Sequence, residues 1–267
     1  MTPVEIAKRI FDEKGFPALD KYITGEYKED KGHPNGKDIN KNAKHIVKLL
    51  SQTSQQAVVD LTIVNKSGSA TDYYLFFVKG TVWKMQALRS LAMVGFGLFE
   101  KSLLARLSSR QVDSVIAVTD TTTHRFFSSR EEYNYKLGNA RLLTLSDDEL
   151  IVHFNEHRQQ FDELKKIILA GKEELERRKT ADIKLTIQNM KVVEEGWKEA
   201  SRALLLTYVP ASDRDFKNSV ELVIWGMVDN AVGYVYIPDK QTIPTMSPDH
   251  IILLRAMGDG WFLYKTT

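Results

Sequence analysis

Three short runs, Ala57 to Val64, Tyr73 to Val78 and Thr81 to Leu88, are rich in β-branched and aromatic residues. They are divided by a stretch opening Asn65-Lys66-Ser67-Gly68 and by Lys79-Gly80. Linkers this short reach only an antiparallel neighbour, because a parallel crossover needs a dozen residues or more. An antiparallel meander is therefore expected, and it restricts the chain to folds that contain one. The pattern returns in Val220 to Val228, Val232 to Ile237, Ile251 to Met257 and Trp261 to Lys265. Asp229-Asn230 and Gly258-Asp259-Gly260 fall where tight turns need positive φ. Ile183 to Ile187 and Ala203 to Val209 read as further strands of this second sheet.

Each sheet follows residues with helical spacing. Val4, Ile6, Ile10 and Phe11 define a first helix up to Gly15, and Pro17 to Ile23 a second. Gly25 to Asn42 is a loop around His33-Pro34-Asn35-Gly36, after which Ile46, Val47 and Leu50 continue a helix from Ala43. Beyond the meander, Arg89 to Leu107 is helical through Leu91, Val94, Leu98, Leu103, Leu104 and Leu107, weakened at Gly95 and Gly97. Val112 to Val118 reads as one more strand. Ser146-Asp147-Asp148-Glu149 is a capping box whose helix should be the longest, continuing through Phe154, Phe161, Leu164 and Ile168 to Gly171. Between Asp120 and Leu145, Ser129-Arg130-Glu131-Glu132 caps only a helix that meets Gly138-Asn139. The expected fold class is α+β with two domains, 1–120 and 146–267, joined by a connector at 121–145. Each domain has N-terminal helices followed by an antiparallel sheet.

Val78-Lys79-Gly80-Thr81-Val82-Trp83-Lys84 and Met257-Gly258-Asp259-Gly260-Trp261-Phe262 each set a glycine turn before a tryptophan that opens a strand. Helices followed by a curved sheet ending in such hairpins resemble NTF2-like or cystatin-like α+β domains. The resemblance implies a fold for each half and carries over no catalytic residue, since the NTF2-like superfamily holds both enzymes and binding modules.

Charge narrows the partners. With 37 basic against 35 acidic residues the net charge is +2, too small for an electrostatic nucleic-acid footprint, so no nucleic-acid partner is expected. The run Lys172-Glu173-Glu174-Leu175-Glu176-Arg177-Arg178-Lys179 alternates in sign as a solvated helix end does. The absence of cysteine excludes disulfides, thiolate metal ligands and a cysteine nucleophile. Met1 to Phe16 is interrupted by charge and shows no signal-peptide core, which places the protein in the cytoplasm, or in the periplasm if a signal was removed. The apolar run Leu91 to Phe99 falls far short of the ~20 residues a membrane span needs.

Few motifs carry chemistry. His153-Phe154-Asn155-Glu156-His157 matches H-x-x-E-H, in which two histidines one turn apart bind Zn²⁺ and the glutamate acts as base, with Glu221 as a candidate third ligand. Structural histidines at a helix–sheet boundary are the expected reading, with no metal or other cofactor; a zinc-dependent hydrolase is the alternative. Thr121-Thr122-Thr123-His124-Arg125 reads as loop, and Asp213, Asp215 and Lys217 as solvated loop charge. There is no G-x-S-x-G, P-loop or complete G-x-G-x-x-G.

Tyr208, Trp225, Tyr234, Tyr236, Phe262 and Tyr264 gather in the second sheet. A tyrosine-rich face suits a ligand cavity or a protein interface, because the ring is apolar and the hydroxyl wants a polar partner. These six are the expected binding residues of a non-enzymatic, bacterial-type binding or interaction protein, of immunity or accessory type. Its expected partner is a protein or a small apolar ligand.

Overall fold

The computed structural model describes residues 1–30, 34–39, 42–92, 94–118, 126–180, 196–210, 215–227 and 229–267. The expected strand Ile183 to Ile187, the Thr121 to Arg125 group, His33 and Asp213 lie outside them. The chain is α+β with two four-stranded antiparallel sheets.

The first sheet consists of β1 (Lys44–Gln52), β2 (Gln56–Val64), β3 (Ala70–Lys79) and β4 (Trp83–Arg89), paired in sequence order. β1 corrects the helix expected from Ala43. Ile46, Val47 and Leu50 fit either period over so short a span, and pairing with β2 from Lys44↔Val64 to Gln52↔Ala57 decides for strand. The second sheet holds β5 (Val220–Met227), β6 (Asn230–Tyr236), β7 (Ile251–Gly258) and β8 (Trp261–Thr266) in the order β5-β6-β8-β7. Ala203 to Val209 is not a strand: residues 196–203 are helical, and Tyr208 alone bridges, to Val223.

The chain opens with α1 (Pro3–Ile10), capped by Thr2 and Glu5, and the second expected helix reduces to a 3-10 turn at Leu19–Lys21. A short α2 (Gly25–Glu29) lies within the expected loop. After β4 comes α3 (Val94–Ala105). α4 (Ser109–Ile116) then replaces the strand expected at Val112 to Val118, and its signal was a capping box at Ser108-x-x-Gln111. α5 (Arg130–Leu143) runs straight through Gly138-Asn139. A Cβ on Gly138 would lie 2.7 Å from Leu205 Cδ2, so this glycine serves close packing rather than a helix stop. Next to it, Asn139 Nδ2 donates to the carbonyls of Leu205 at 2.6 Å and Ile224 at 2.7 Å.

α6 (Asp147–Glu156) begins at the expected capping box but ends early. His157 leaves the helical conformation at φ −112°, and its Nδ1 lies 2.8 Å from the His153 carbonyl oxygen. α7 (Arg158–Thr180) then continues past Gly171, so the single long helix is two.

One face of the first sheet packs Val59, Leu61, Leu75, Phe77 and Met85 against Ile6, Ile10 and Phe11. On the other, Val58, Tyr74, Phe76 and Ala87 join a cluster with Leu142 and Leu143 of α5, Phe154 of α6, Phe161 and Leu164 of α7, and Leu222, Tyr234 and Trp261 of the second sheet. One apolar cluster thus runs from sheet to sheet through the helices. Among the described residues no helix is long and apolar enough to cross a membrane.

Candidate functional site

Charged residues interrupt this interior where the first sheet meets α6 and β8. Strand register aligns Lys48, Asp60, Tyr74 and Arg89 in one cross-strand row, and sets Thr62 opposite Asp72. In a sheet, alternate residues share a face, so Asp60, Thr62, Asp72 and Tyr74 lie on the face that carries Val58 and Phe76. α6 adds Asp147, its first residue, and β8 adds Lys265. Asp60, Asp72, Asp147 and Lys265 are all buried.

Lys265 Nζ lies 2.6 Å from Asp147 Oδ1. The Tyr74 hydroxyl donates to the same carboxylate, whose oxygens are at 2.9 and 3.0 Å. The backbone N–H of Asp147 donates to Asp72 Oδ2 at 2.8 Å, so a strand carboxylate satisfies one of the free amides at the start of α6. Thr62 Oγ1 donates to Asp72 Oδ1 at 2.7 Å and lies 3.4 Å from Asp60 Oδ2. Asp60 Oδ1 is buried with no hydrogen-bond partner. At the edge of the group, Asp148 pairs with Lys48 and Arg255, while Arg89 donates to the Pro248 carbonyl and pairs with Glu26.

Burial raises the Asp60 carboxyl to about 7, and the nearby Asp72 and Asp147 carboxylates push the same way. Burial, then Asp147, also raises Asp72. Asp60 titrates near 3.8 in the unfolded chain, so from there to about 7 the folded chain holds the extra proton. Stability from this group therefore falls as pH rises through that window. Burial lowers His153 from 6.5, which acts in the opposite sense, so a comparison with Asp60→Asn is needed to isolate Asp60. Urea unfolding should show the wild type losing on the order of 2 kcal/mol relative to Asp60→Asn between pH 5 and pH 8. A difference that stays constant with pH would refute the assignment.

The six aromatic residues expected to bind do not share one surface. Tyr234 is fully buried, donates to the Leu150 carbonyl at 2.8 Å and packs on Phe154 and Phe161. Trp225 and Tyr236 are half-buried against the same cluster, and Lys165 Nζ sits 4.4 Å from the Tyr236 ring centre. Tyr264 is fully buried in a second cluster, donates to Glu221 Oε1 and packs on Phe216. Phe262, half-buried, joins that cluster, which Ile243 and Met246 also cover. Tyr208 is half-buried, with its hydroxyl beside Gly226. Tyr236 and Phe262 line a cleft of about 440 Å³. Phe262 also lines a groove of about 480 Å³ between the edge strands β1 and β7, with Leu49, Leu50, Met246 and Leu254.

The rings of His153 and His157 are 4.5 Å apart, Glu156 is exposed, and Glu221 bonds Tyr264 in the second cluster. Among the described residues, the three-membered group within reach of one metal ion is Asp60, Asp72 and Asp147. Asp215 pairs with His250 at 3.0 Å, and Lys217 is exposed. No protein-family model, curated protein or solved structure matches this chain. What its surfaces do follows from their own chemistry.

One surface stands out. Phe96, Phe99 and Leu103, spaced three and four apart, form a stripe along α3 and are 59%, 69% and 45% exposed. The other side of α3 is seated by Gly97, where a Cβ would lie 2.7 Å from Leu143 Cδ2. The apolar run Leu91 to Phe99 was the sequence signal, since its helical wheel is apolar on both sides, while among the described residues α3 packs through Gly97 on α5.

Proposed function

We propose that this chain is a non-enzymatic interaction protein of accessory or immunity type, built from two NTF2-like or cystatin-like halves, that holds a protein partner on the exposed stripe of α3. The observation that carries the reading is the exposure of Phe96, Phe99 and Leu103 side by side. A surface helix ordinarily turns its apolar stripe inward, and a contiguous apolar patch left outside marks an interaction site. A protruding helix suits the groove of another protein, whereas a small ligand needs a concave site. α3 carries one acid and one base, Glu100 and Lys101, and so lacks the basic rim of helices that lie on membranes.

A second reading, an apolar ligand in the groove between β1 and β7, is favoured by that groove's volume of about 480 Å³ and its lining by Leu50, Met246, Leu254 and Phe262. A zinc-dependent hydrolase at His153, Glu156 and His157 is the weaker alternative, because Glu221 bonds Tyr264 instead of approaching the histidines.

Affinity recovery run in parallel with wild type and a Phe96→Asp/Phe99→Asp variant should identify a protein retained by the wild type alone. The purified partner is then expected to bind the variant at least about tenfold more weakly, as for aromatic anchors, with the unfolding midpoint unchanged. Equal affinity for both forms overturns the reading. Self-association lost in the variant would assign the stripe to a second copy of the chain, and vesicle binding lost in the variant would assign it to a membrane surface.

A further inference from the structure

We propose that Asp60, Asp72 and Asp147 form a binding site for one divalent cation of the Ca²⁺ class. The three residues come from β2, β3 and the start of α6, and each offers a carboxylate oxygen within 4.8 Å of the others. Two oxygens bound to one Ca²⁺ at about 2.3–2.6 Å stand at most about 5 Å apart, so each pair of these carboxylates lies within the span that a single ion bridges.

The second observation is Asp60 Oδ1. Asp60 is 1% exposed, its other oxygen faces Thr62 within the cluster, and Oδ1 has no hydrogen-bond partner. A buried carboxylate oxygen that has lost its water without gaining a donor is expensive, and a cation between the three carboxylates supplies the missing interaction. Charge points the same way. When ionised, the three carboxylates carry three negative charges, against the ammonium of Lys265 inside the group and that of Lys48 at its edge, which is shared with Asp148. The donors are carboxylates with the hydroxyl of Thr62 beside them, a hard oxygen set that suits Ca²⁺ rather than zinc or copper. Lys265, 2.6 Å from Asp147, competes with the ion for that carboxylate. The site is separate from the stripe on α3 and does not depend on a partner there.

The test is a calorimetric titration of chelator-treated protein with CaCl₂, with MgCl₂ in parallel and the unfolding midpoint followed alongside. One Ca²⁺ per chain is expected, with a raised midpoint and weaker Mg²⁺ binding. Asp60→Asn should bind at least tenfold more weakly, and Lys265→Met, freed of the competing ammonium, at least tenfold more tightly. Absence of heat and of any midpoint shift at millimolar Ca²⁺ in the wild type overturns the proposal. So does Ca²⁺ binding that Asp60→Asn leaves intact, tighter binding of Mg²⁺ than of Ca²⁺, or binding confined to Lys265→Met, which would make the ammonium the cluster's own counter-ion. Should Asp60→Asn fail to fold, Asp72→Asn, which leaves the Asp147–Lys265 pair in place, is titrated instead, and unchanged affinity in it overturns the site.

Discussion

Asp147→Ala is expected to lower stability by about 3–5 kcal/mol near neutral pH without added divalent cation, the range for removing one partner of a buried ion pair. The side chains of Asp147 and Lys265 are 0% and 6% exposed, so the ammonium left behind loses its 2.6 Å partner in a buried position, with Asp60 and Asp72 acting on it only from farther off. The same substitution removes the acceptor of the Tyr74 hydroxyl, itself fully buried. The exposed pair Arg130–Asp113, whose side chains are 51% and 61% exposed, makes the contrast, because breaking a pair of that kind costs about 0–1 kcal/mol. Denaturant unfolding of the two variants, Asp147→Ala and Asp113→Ala, measures both. A loss for Asp147→Ala as small as that for Asp113→Ala would show that water reaches Lys265 and that the group is not a dry one.

Phe154→Ala should be comparably severe, at about 3–5 kcal/mol. Its ring is fully buried, 4.7 Å from Phe161, 5.1 Å from Tyr234 and 5.2 Å from Trp261, with the Arg158 guanidinium 5.2 Å from its centre. Helix α6 holds it from one side and the second sheet from the other, which limits how far the walls can close on the space left behind. The expected result is a lower denaturant midpoint with an unchanged slope. A cost under about 2 kcal/mol would mean that the neighbouring rings refill the site.

The strands β2 to β8 were legible because their signal is local: turn residues mark most of the reversals, and β-branched and aromatic residues fill the runs between them. The start of α6 was legible for the same reason, since Ser146 and Glu149 satisfy each other's backbone within one turn. β1 was not, because Ile46, Val47 and Leu50 fit a helical period as well as a strand's over so short a span, and only its partner β2 settles the matter. α5 was obscured by Gly138 and Asn139, whose purpose is contact with Leu205 and Ile224 far along the chain. The break at His157 coincides with an imidazole contact to the carbonyl of His153 in its own helix, which no periodicity encodes.

The acidic group was half visible. Asp147 showed itself as a helix-start residue, and Asp60 stands between Val59 and Leu61 inside an apolar strand, an anomaly that marks a partner elsewhere. What assembles Asp60, Asp72, Asp147 and Lys265 is strand register and helix placement, which leave no spacing in the sequence to find. The aromatic residues failed as a single surface for a related reason: alternation sends Tyr234 and Tyr264 into different clusters, so their count in the sheet says little about either face.

The row of Lys48, Asp60, Tyr74 and Arg89 also bears on the order in which the chain is made. Synthesis delivers β1 to β4 well before α6 and β8, so a first sheet that formed as it emerged would lack the residues that cover this face. A newborn sheet showing only valine and phenylalanine there would adhere to other nascent chains. Lys48, Asp60, Asp72 and Arg89 would keep such a face wet, and like charges at Asp60 and Asp72 would oppose a second copy stacking on it. The carboxylates that must shed water when the fold closes are thus the ones that would leave this face polar in any state in which α6 and β8 are not yet docked.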